Sequence, residues 1–250
     1  MTELLLTTTL DARQHHLART IQQSGEALLA IINDILDFSK IEAGKLHLEQ
    51  LDFDVQETVE NAVELFANPA QRKGVELTCH MPGEFPRALR GDPIRLRQTL
   101  LNLISNALKF TSTGEINIRV EAVAETDTTA TLRFTVKDSG VGIPAEAHGR
   151  IFEAFSQADG TTTRRFGGTG LGLTIVKELV ARMNGRVGVE SQVGSGSTFW
   201  FTAVFERQPV ADPPASECTL TGKHILVVDD TAANREILDD HLRTWGAQPR

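Results

Sequence analysis

Two stretches decide how the chain is read: Leu96–Thr111, LRQTLLNLISNALKFT, and Asp138–Leu173, DSGVGIPAEAHGRIFEAFSQADGTTTRRFGGTGLGL. In the first, Asn102, Asn106 and Lys109 stand at i, i+4 and i+7. On a helix of about 3.6 residues per turn they share one face, while Leu96, Leu100, Leu103, Ile104, Ala107 and Leu108 share the other. The spacing predicts a buried helix with one polar working edge. In the second, the apolar run Leu132–Val136 reads as a strand ending near Asp138, with Gly140 and Gly142 close behind. A later cluster, Gly167, Gly168, Gly170 and Gly172, leads into the helical pattern LTIVKELVARM. Glycines so placed let backbone amides approach a polyphosphate, and let the next helix present its free N–H groups to it.

Working outward, Gly91-Asp92-Pro93 supplies an N-cap and a first-turn proline to the asparagine-bearing helix. Upstream, the alternation LDFDV from Leu51 predicts a short strand. Val55–Lys73 then reads as an amphipathic helix with Val59, Val63, Leu65 and Phe66 inward, stopping near Gly74. Val75–His80 reads as the next strand, and Pro82, Gly83 and Pro86 mark a loop. Downstream, Glu115–Val123 and Thr131–Lys137 alternate apolar and polar residues about the turn-like ETDTT, which predicts a hairpin. Arg186–Ser191 and Ser197–Phe205 form a second such pair across Gly194 and Gly196. Helices on one face of a mixed sheet give the expected fold class, α/β, as a two-layer sandwich.

The 250 residues allow one or two domains, and an apolar share of 40% is enough to bury a core. A formal net charge of -8, with no run of Lys and Arg, argues against a nucleic-acid-binding surface. Cys79 and Cys218 are far apart and match no metal-ligand spacing, so no disulfide framework is expected and a reducing, cytoplasmic setting fits. No apolar run approaches the roughly 18 to 20 residues of a membrane helix, so no membrane segment is expected in this chain, although a parent protein is free to carry an anchor.

The motifs acquire a family when taken in order. Asn102-x-x-x-Asn106-x-x-Lys109, Asp138-x-Gly140-x-Gly142, Phe152-x-x-Phe155, Gly168-x-Gly170-x-Gly172 and Gly194-x-Gly196-x-Thr198 follow one another like the N box, first glycine box, F box and later glycine boxes of sensor histidine kinases. Each is weak alone; five in register are specific. The resemblance covers roughly residues 12 to 205 and is greatest to the hybrid kinases of bacterial two-component phosphorelays. It implies a histidine-kinase/gyrase-type ATP-binding fold preceded by a helical dimerisation hairpin, with ATP and Mg²⁺ as ligands. Asp138 would accept from the exocyclic amine of adenine, and Asn106, the metal ligand, would hold Mg²⁺ through its amide oxygen. Asn102 and Lys109 would lie beside it, with Lys109 offsetting phosphate charge. Gly168, Gly170 and Gly172 would wrap the polyphosphate over Leu171 and Leu173, and Thr198 would reach the adenine side directly or through a water. Ile143–Phe166 is expected to be a lid anchored by Phe152 and Phe155, with Arg164 and Arg165 reaching phosphate. A Walker loop, a dinucleotide fingerprint and a protein-kinase motif set are all absent from the sequence.

Near the start, Leu17, Ile21, Ser24, Leu28, Ile31, Ile35 and Phe38 alternate three- and four-residue steps, the spacing of a helix–helix seam or of an ordinary core helix. Ser24–Leu46 resembles the second helix of the family's phosphotransfer hairpin, which implies a homodimer in a four-helix bundle. Thr2–Leu6 would then end the first helix, with Thr7–Asp11 as the turn. The family's phosphoacceptor motif, similar to S-H-E-x-R-T-P, is not found. His15 and His16 lie past the turn without an adjacent acid, so they read as solvated helix-start residues. The chain is therefore expected to be a truncated product or fragment that needs a His-bearing phosphotransfer domain as partner. Gln208–Leu220 reads as a linker, and Lys223–Asp230, KHILVVDD, with the helical NREILDDHLRTWG resembles the opening of a receiver domain, so a receiver or response regulator is a further implied partner. That piece, in which Asp229 and Asp230 would help bind Mg²⁺, is expected to pack loosely. The expected domains are 1–48, a partial hairpin; 49–207, the ATP-binding domain; 208–222, a linker; and 223–250, a receiver start. Two other readings stay open: an ATPase of the same superfamily, which needs a Glu where Asn102 stands, and a non-catalytic, ATP-sensing dimerisation module.

Overall fold

The computed structural model describes residues 1–82, 85–156, 170–208, 220–229 and 231–249. It begins with a helical hairpin, α1 (Thr2–Leu6) and α2 (Ala12–Glu42). The turn closes in a capping box: Gln14 N–H donates to Asp11 Oδ1 at 2.8 Å, and Asp11 N–H donates to Gln14 Oε1 at 3.0 Å. Two amides that a helix start leaves unpaired are thereby satisfied. Of α2, Ala18, Asp37 and Ile41 are buried, and the seam residues are largely exposed.

Strand β1 (Leu51–Asp54) runs straight into α3 (Val55–Lys73), whose start is capped by the Asp54 carboxylate accepting from Glu57 N–H at 3.1 Å. The helix stops at Gly74, with φ of 68°, a left-handed conformation that favours glycine. Val55, Val59, Ala62 and Ala70 are its buried residues. Leu65, expected inward, is 53% exposed. At about 100° per residue it stands about 120° round the helix from Val59, off the buried stripe.

There follow β2 (Val75–His80), β3 (Ala88–Gly91), α4 (Pro93–Phe110), β4 (Gly114–Glu125), β5 (Thr129–Asp138), α5 (Gly172–Arg182), β6 (Val187–Gln192) and β7 (Gly196–Arg207). Among the described residues they form a seven-stranded sheet in the order β1-β3-β7-β5-β4-β2, with β6 also on β7. The β2–β4 pair is parallel and the others are antiparallel. Strand β3 falls just beyond the loop expected from Pro82, Gly83 and Pro86. It is held by distant partners, with Leu89 opposite both Phe53 and Arg207, so no local pattern announces it. Alternate residues of the strands, such as Ile118, Val136 and Phe201, are buried in one core with α3, α4 and α5. The molecule is an α/β two-layer fold with a helical N-terminal region.

Beyond residue 219 come β8 (His224–Ile225), α6 (Ala232–Thr244) and β9 (Gln248–Pro249), with β8 and β9 paired in parallel. Of the KHILVVDD run, only two of the described residues form a strand, and Leu226 and Val228 are 75% and 82% exposed. No helix among the described residues is long and apolar enough to cross a membrane.

Candidate nucleotide-binding site

Helix α4 is fixed at both ends. At its start the Asp92 carboxylate accepts from Arg95 N–H and from Glu49 N–H, each at 3.0 Å, and Pro93 occupies the first turn. At its end the Lys73 ammonium, from the last residue of α3, donates to the carbonyls of Leu108 at 2.5 Å and Thr111 at 2.8 Å. A cation on those carbonyls satisfies acceptors that have no partner within the helix and opposes its dipole. Nothing in the local sequence marked Lys73 for this role. Leu96, Leu100, Leu103 and Ile104 are fully buried, while Asn102, Asn106 and Lys109 are half-buried along the polar edge. Asn106 Nδ2 donates to Asn102 Oδ1 at 3.1 Å. Burial lowers the Lys109 pKa below its ordinary value.

Asp138 ends β5 on the core-facing side of the sheet and is 4% exposed. Its Oδ1 accepts from Gly140 N–H at 2.8 Å. Burial pushes its pKa up, while backbone hydrogen bonds from Gly140 and Ser197 pull it back down. The turn after it packs so closely that a Cβ on Gly140 would lie 2.6 Å from the Phe110 carbonyl, which sets the turn against the end of α4. A Cβ on Gly142, at φ 72°, would strike the Gln192 carbonyl at the β6–β7 turn. The second glycine cluster closes the other side. A Cβ on Gly172 would strike the Asn102 amide, so the start of α5 touches the polar edge of α4. Leu171 is buried beneath this start and Leu173 packs against the core. The N-cap residue of α5 is Leu171, whose side chain makes no capping hydrogen bond, and Gly170 precedes it.

The structure thus gathers Asn102, Asn106, Lys109, Asp138, Gly140, Gly142, Gly170, Leu171, Gly172 and Leu173 about the junction of α4, the β5 end and the α5 start. Arg164, Arg165, Gly167 and Gly168, and with them residues 157–166 of the expected lid, lie outside the described residues. Thr198 requires a correction. Asp138 pairs with Ser197, and Thr198 pairs with Lys137. Side chains alternate along a strand, so Ser197 shares the Asp138 face and Thr198 points to the other. Ser197 is 6% exposed, and its Oγ accepts from Ser191 Oγ at 3.0 Å. The glycine turn alone could not reveal this, because the parity depends on the register of β7 against β5.

The two phenylalanines also part company. Phe152 is buried edge-on to Phe199, with ring centroids 6.4 Å apart. Phe155, expected to anchor on the same domain, is 70% exposed and holds φ of 59°, and its ring meets Phe38 of α2 at 6.0 Å. Its N–H donates to the Gly170 carbonyl at 3.2 Å, which ties the hairpin contact to the second glycine turn. Beside it, Asp37 of α2 accepts from Arg95 at 3.1 Å and Gln98 at 2.7 Å.

A buried carboxylate at a strand end, an asparagine-lined helix and close glycine turns around a helix start are features that suit a nucleotide, here behind a helical hairpin. The family of histidine kinase-, DNA gyrase B- and HSP90-like ATPases matches residues 91–207, and the His Kinase A (phospho-acceptor) domain matches residues 1–44. The chain belongs to the sensor histidine kinases. Among its relatives, the signal transduction histidine-protein kinase BarA of Escherichia coli (strain K12) is 43% identical over 243 residues, spanning 96% of this chain and 26% of that protein. The sensor protein GacS of Pseudomonas syringae pv. syringae is 40% identical over 247 residues, spanning 99% of this chain and 27% of GacS. The crystal structure of full-length ShkA in complex with AMPPNP superposes with a TM-score of 0.79 at 33% identity, covering all of this chain and 50% of that one. The chain therefore spans about a quarter of the length of these curated relatives.

Proposed function

We propose that this chain is the ATP-binding catalytic part of a hybrid sensor histidine kinase, which moves the γ-phosphoryl of Mg-ATP to a histidine in a two-component phosphorelay. The observation that carries the reading is the placement of Asp138: a buried carboxylate beside Gly140 and Ser197, on the sheet face that α4 and α5 cover. A carboxylate there accepts from an adenine amine, whereas guanine offers an oxygen at that position. The N–H groups at the α5 start and the half-buried Lys109 would take the phosphates. Asn106 fits a hard cation, because its amide oxygen is a hard ligand and its Nδ2 is engaged by Asn102. Mg²⁺ held there supplies charge neutralisation along the polyphosphate. The side chains themselves bind, orient and exclude water, which is most of what phosphoryl transfer asks of a protein.

The exposed seam of α2 favours a homodimer through the hairpin, and the resemblance of residues 223–250 to a receiver opening favours phosphotransfer and receiver domains as partners. His15 and His16 stand in the first turns of α2, and no phosphoacceptor motif occurs in these residues, so the chain would act on a His-bearing hairpin supplied in trans. The ATPase reading is disfavoured at Asn102, whose amide pairs with Asn106 where a water-activating carboxylate would be required. The test is incubation with γ-labelled ATP and Mg²⁺, with and without a separate His-bearing hairpin. Label is expected on the added hairpin alone. Label on His15 or His16, or fast release of phosphate without a hairpin, would overturn the reading.

A further inference from the structure

Strand β2 is an edge strand of the sheet, and its two faces differ. Val75, Leu77 and Cys79 turn toward the helices and pack with the core, and burial, with a smaller contribution from Glu60, pushes the Cys79 thiol up to about 12. Glu76, Thr78 and His80 alternate with them and so face the opposite side, where an α/β two-layer fold ordinarily meets water. Yet Thr78 and His80 are 9% and 7% exposed. Part of that cover comes from β4: Thr78 Oγ1 bonds Asn117 Oδ1, and Arg119 lies 3.1 Å from His80 Nδ1.

The rest comes from beyond residue 219. Glu76 accepts from two donors at the start of α6, Thr231 Oγ1 at 2.8 Å and Asn234 Nδ2 at 2.7 Å. The same Asn234 amide lies 3.2 Å from Asp229 Oδ1, at the end of the receiver-like KHILVVDD run. Farther along α6, Asp240 Oδ2 meets His80 Nε2 at 2.8 Å. Donors from α6 thus meet a sheet carboxylate, and an α6 carboxylate meets a sheet imidazole backed by a guanidinium. The two contacts stand four residues apart on β2 and six apart on α6, so two separate points of the segment are held against the same strand.

We infer that the outer face of β2 and β4 is a docking surface for the receiver-type segment Leu220–Pro249 of the same chain. Glu76 and His80 are its two anchors. The occupant is tethered through residues 209–219, and a tether of that length holds it at an effective concentration on the order of millimolar, at which contacts of modest strength suffice. The surface selects its partner by charge: a segment with hydrogen-bond donors opposite Glu76 and an acid one to two helical turns later opposite His80.

Amide hydrogen exchange of the complete 250-residue chain tests this. In the unaltered chain the α6 amides are expected to be protected, independently of protein concentration. Asn234→Ala combined with Asp240→Lys, which leaves the sheet untouched, is expected to speed their exchange about tenfold or more while β4 and β5 stay unchanged. Glu76→Lys should do the same from the sheet side, and His80→Asp with Asp240→His should recover part of the protection lost in either single variant. Protection of α6 that survives both sets of substitutions, α6 exchanging at unfolded-chain rates in the unaltered protein, or protection that disappears on dilution would each overturn docking within one chain.

Discussion

Helices α2 and α4 carry apolar stripes of similar character, yet they end in opposite states. In α4, Leu96, Leu100, Leu103 and Ile104 reach 0% exposure, whereas in α2, Ile21, Leu28 and Ile35 keep 61%, 57% and 49%. A stripe is hidden only when a second apolar surface lies over it, at a gain of about 25 cal/mol per Å² of apolar area removed from water. For α4 that surface is supplied by the sheet, α3 and α5. For α2, the contacts with the main body among the described residues include those of Asp37, Phe38 and Ile41 in its last turns. The floor of the nucleotide site is therefore complete within one chain, while the hairpin's seam is left for a second copy on the proposed reading.

The sharpest way to break this comparison is to cut the same kind of side chain from both helices. Leu103→Ala is expected to lower unfolding free energy by about 2–5 kcal/mol in denaturant titration. Leu28→Ala should alter that of the dissociated chain by less than about 0.5 kcal/mol, and instead weaken self-association in sedimentation. Equal effects on unfolding would abolish the distinction. Next in size is Asp138→Asn, which leaves an acceptor for Gly140 but removes the charge, and should cost about 1.5–3 kcal/mol of adenine-nucleotide affinity by calorimetry with little change in fold. Gly172→Ala, forcing a Cβ against Asn102, should cost about 1–3 kcal/mol of stability together with nucleotide affinity, because it pries α5 from α4.

The smallest expected effect is on pH dependence. Protonated Asp138 cannot accept through a carboxylate, so nucleotide affinity is present above its pKa and lost as pH falls through it. Because burial raises that pKa above the ordinary 3.8, the loss should begin at a higher pH than for an exposed aspartate. Stability runs the other way: a raised folded pKa means the folded chain holds the proton more tightly, so this group's contribution declines as pH rises from 3.8 through the folded value. Affinity and melting temperature measured over the same pH series should move in opposite directions across that window.

Much of this architecture could be read directly from the chain. The α4 stripe, its Asp92-Pro93 start, the Gly74 stop of α3 and the β4–β5 and β6–β7 hairpins all rest on neighbours a few residues apart. So do the two glycine turns and the polar edge of Asn102, Asn106 and Lys109. Harder to read were β3, which exists through its partners β1 and β7, the Lys73 cap on α4, and the pairing of Phe155 with Phe38. The choice of Ser197 over Thr198 belongs with them, since a shift of one residue in strand register exchanges the two faces. So does the seating of α6 on β2. Periodicity and capping are settled within a turn or two of chain, and the sequence by itself determined most of the elements and the shared helix edge of Asn102, Asn106 and Lys109. Which face each residue shows, and what stands opposite it, was decided only in the tertiary structure, because register and packing join residues that the chain keeps far apart.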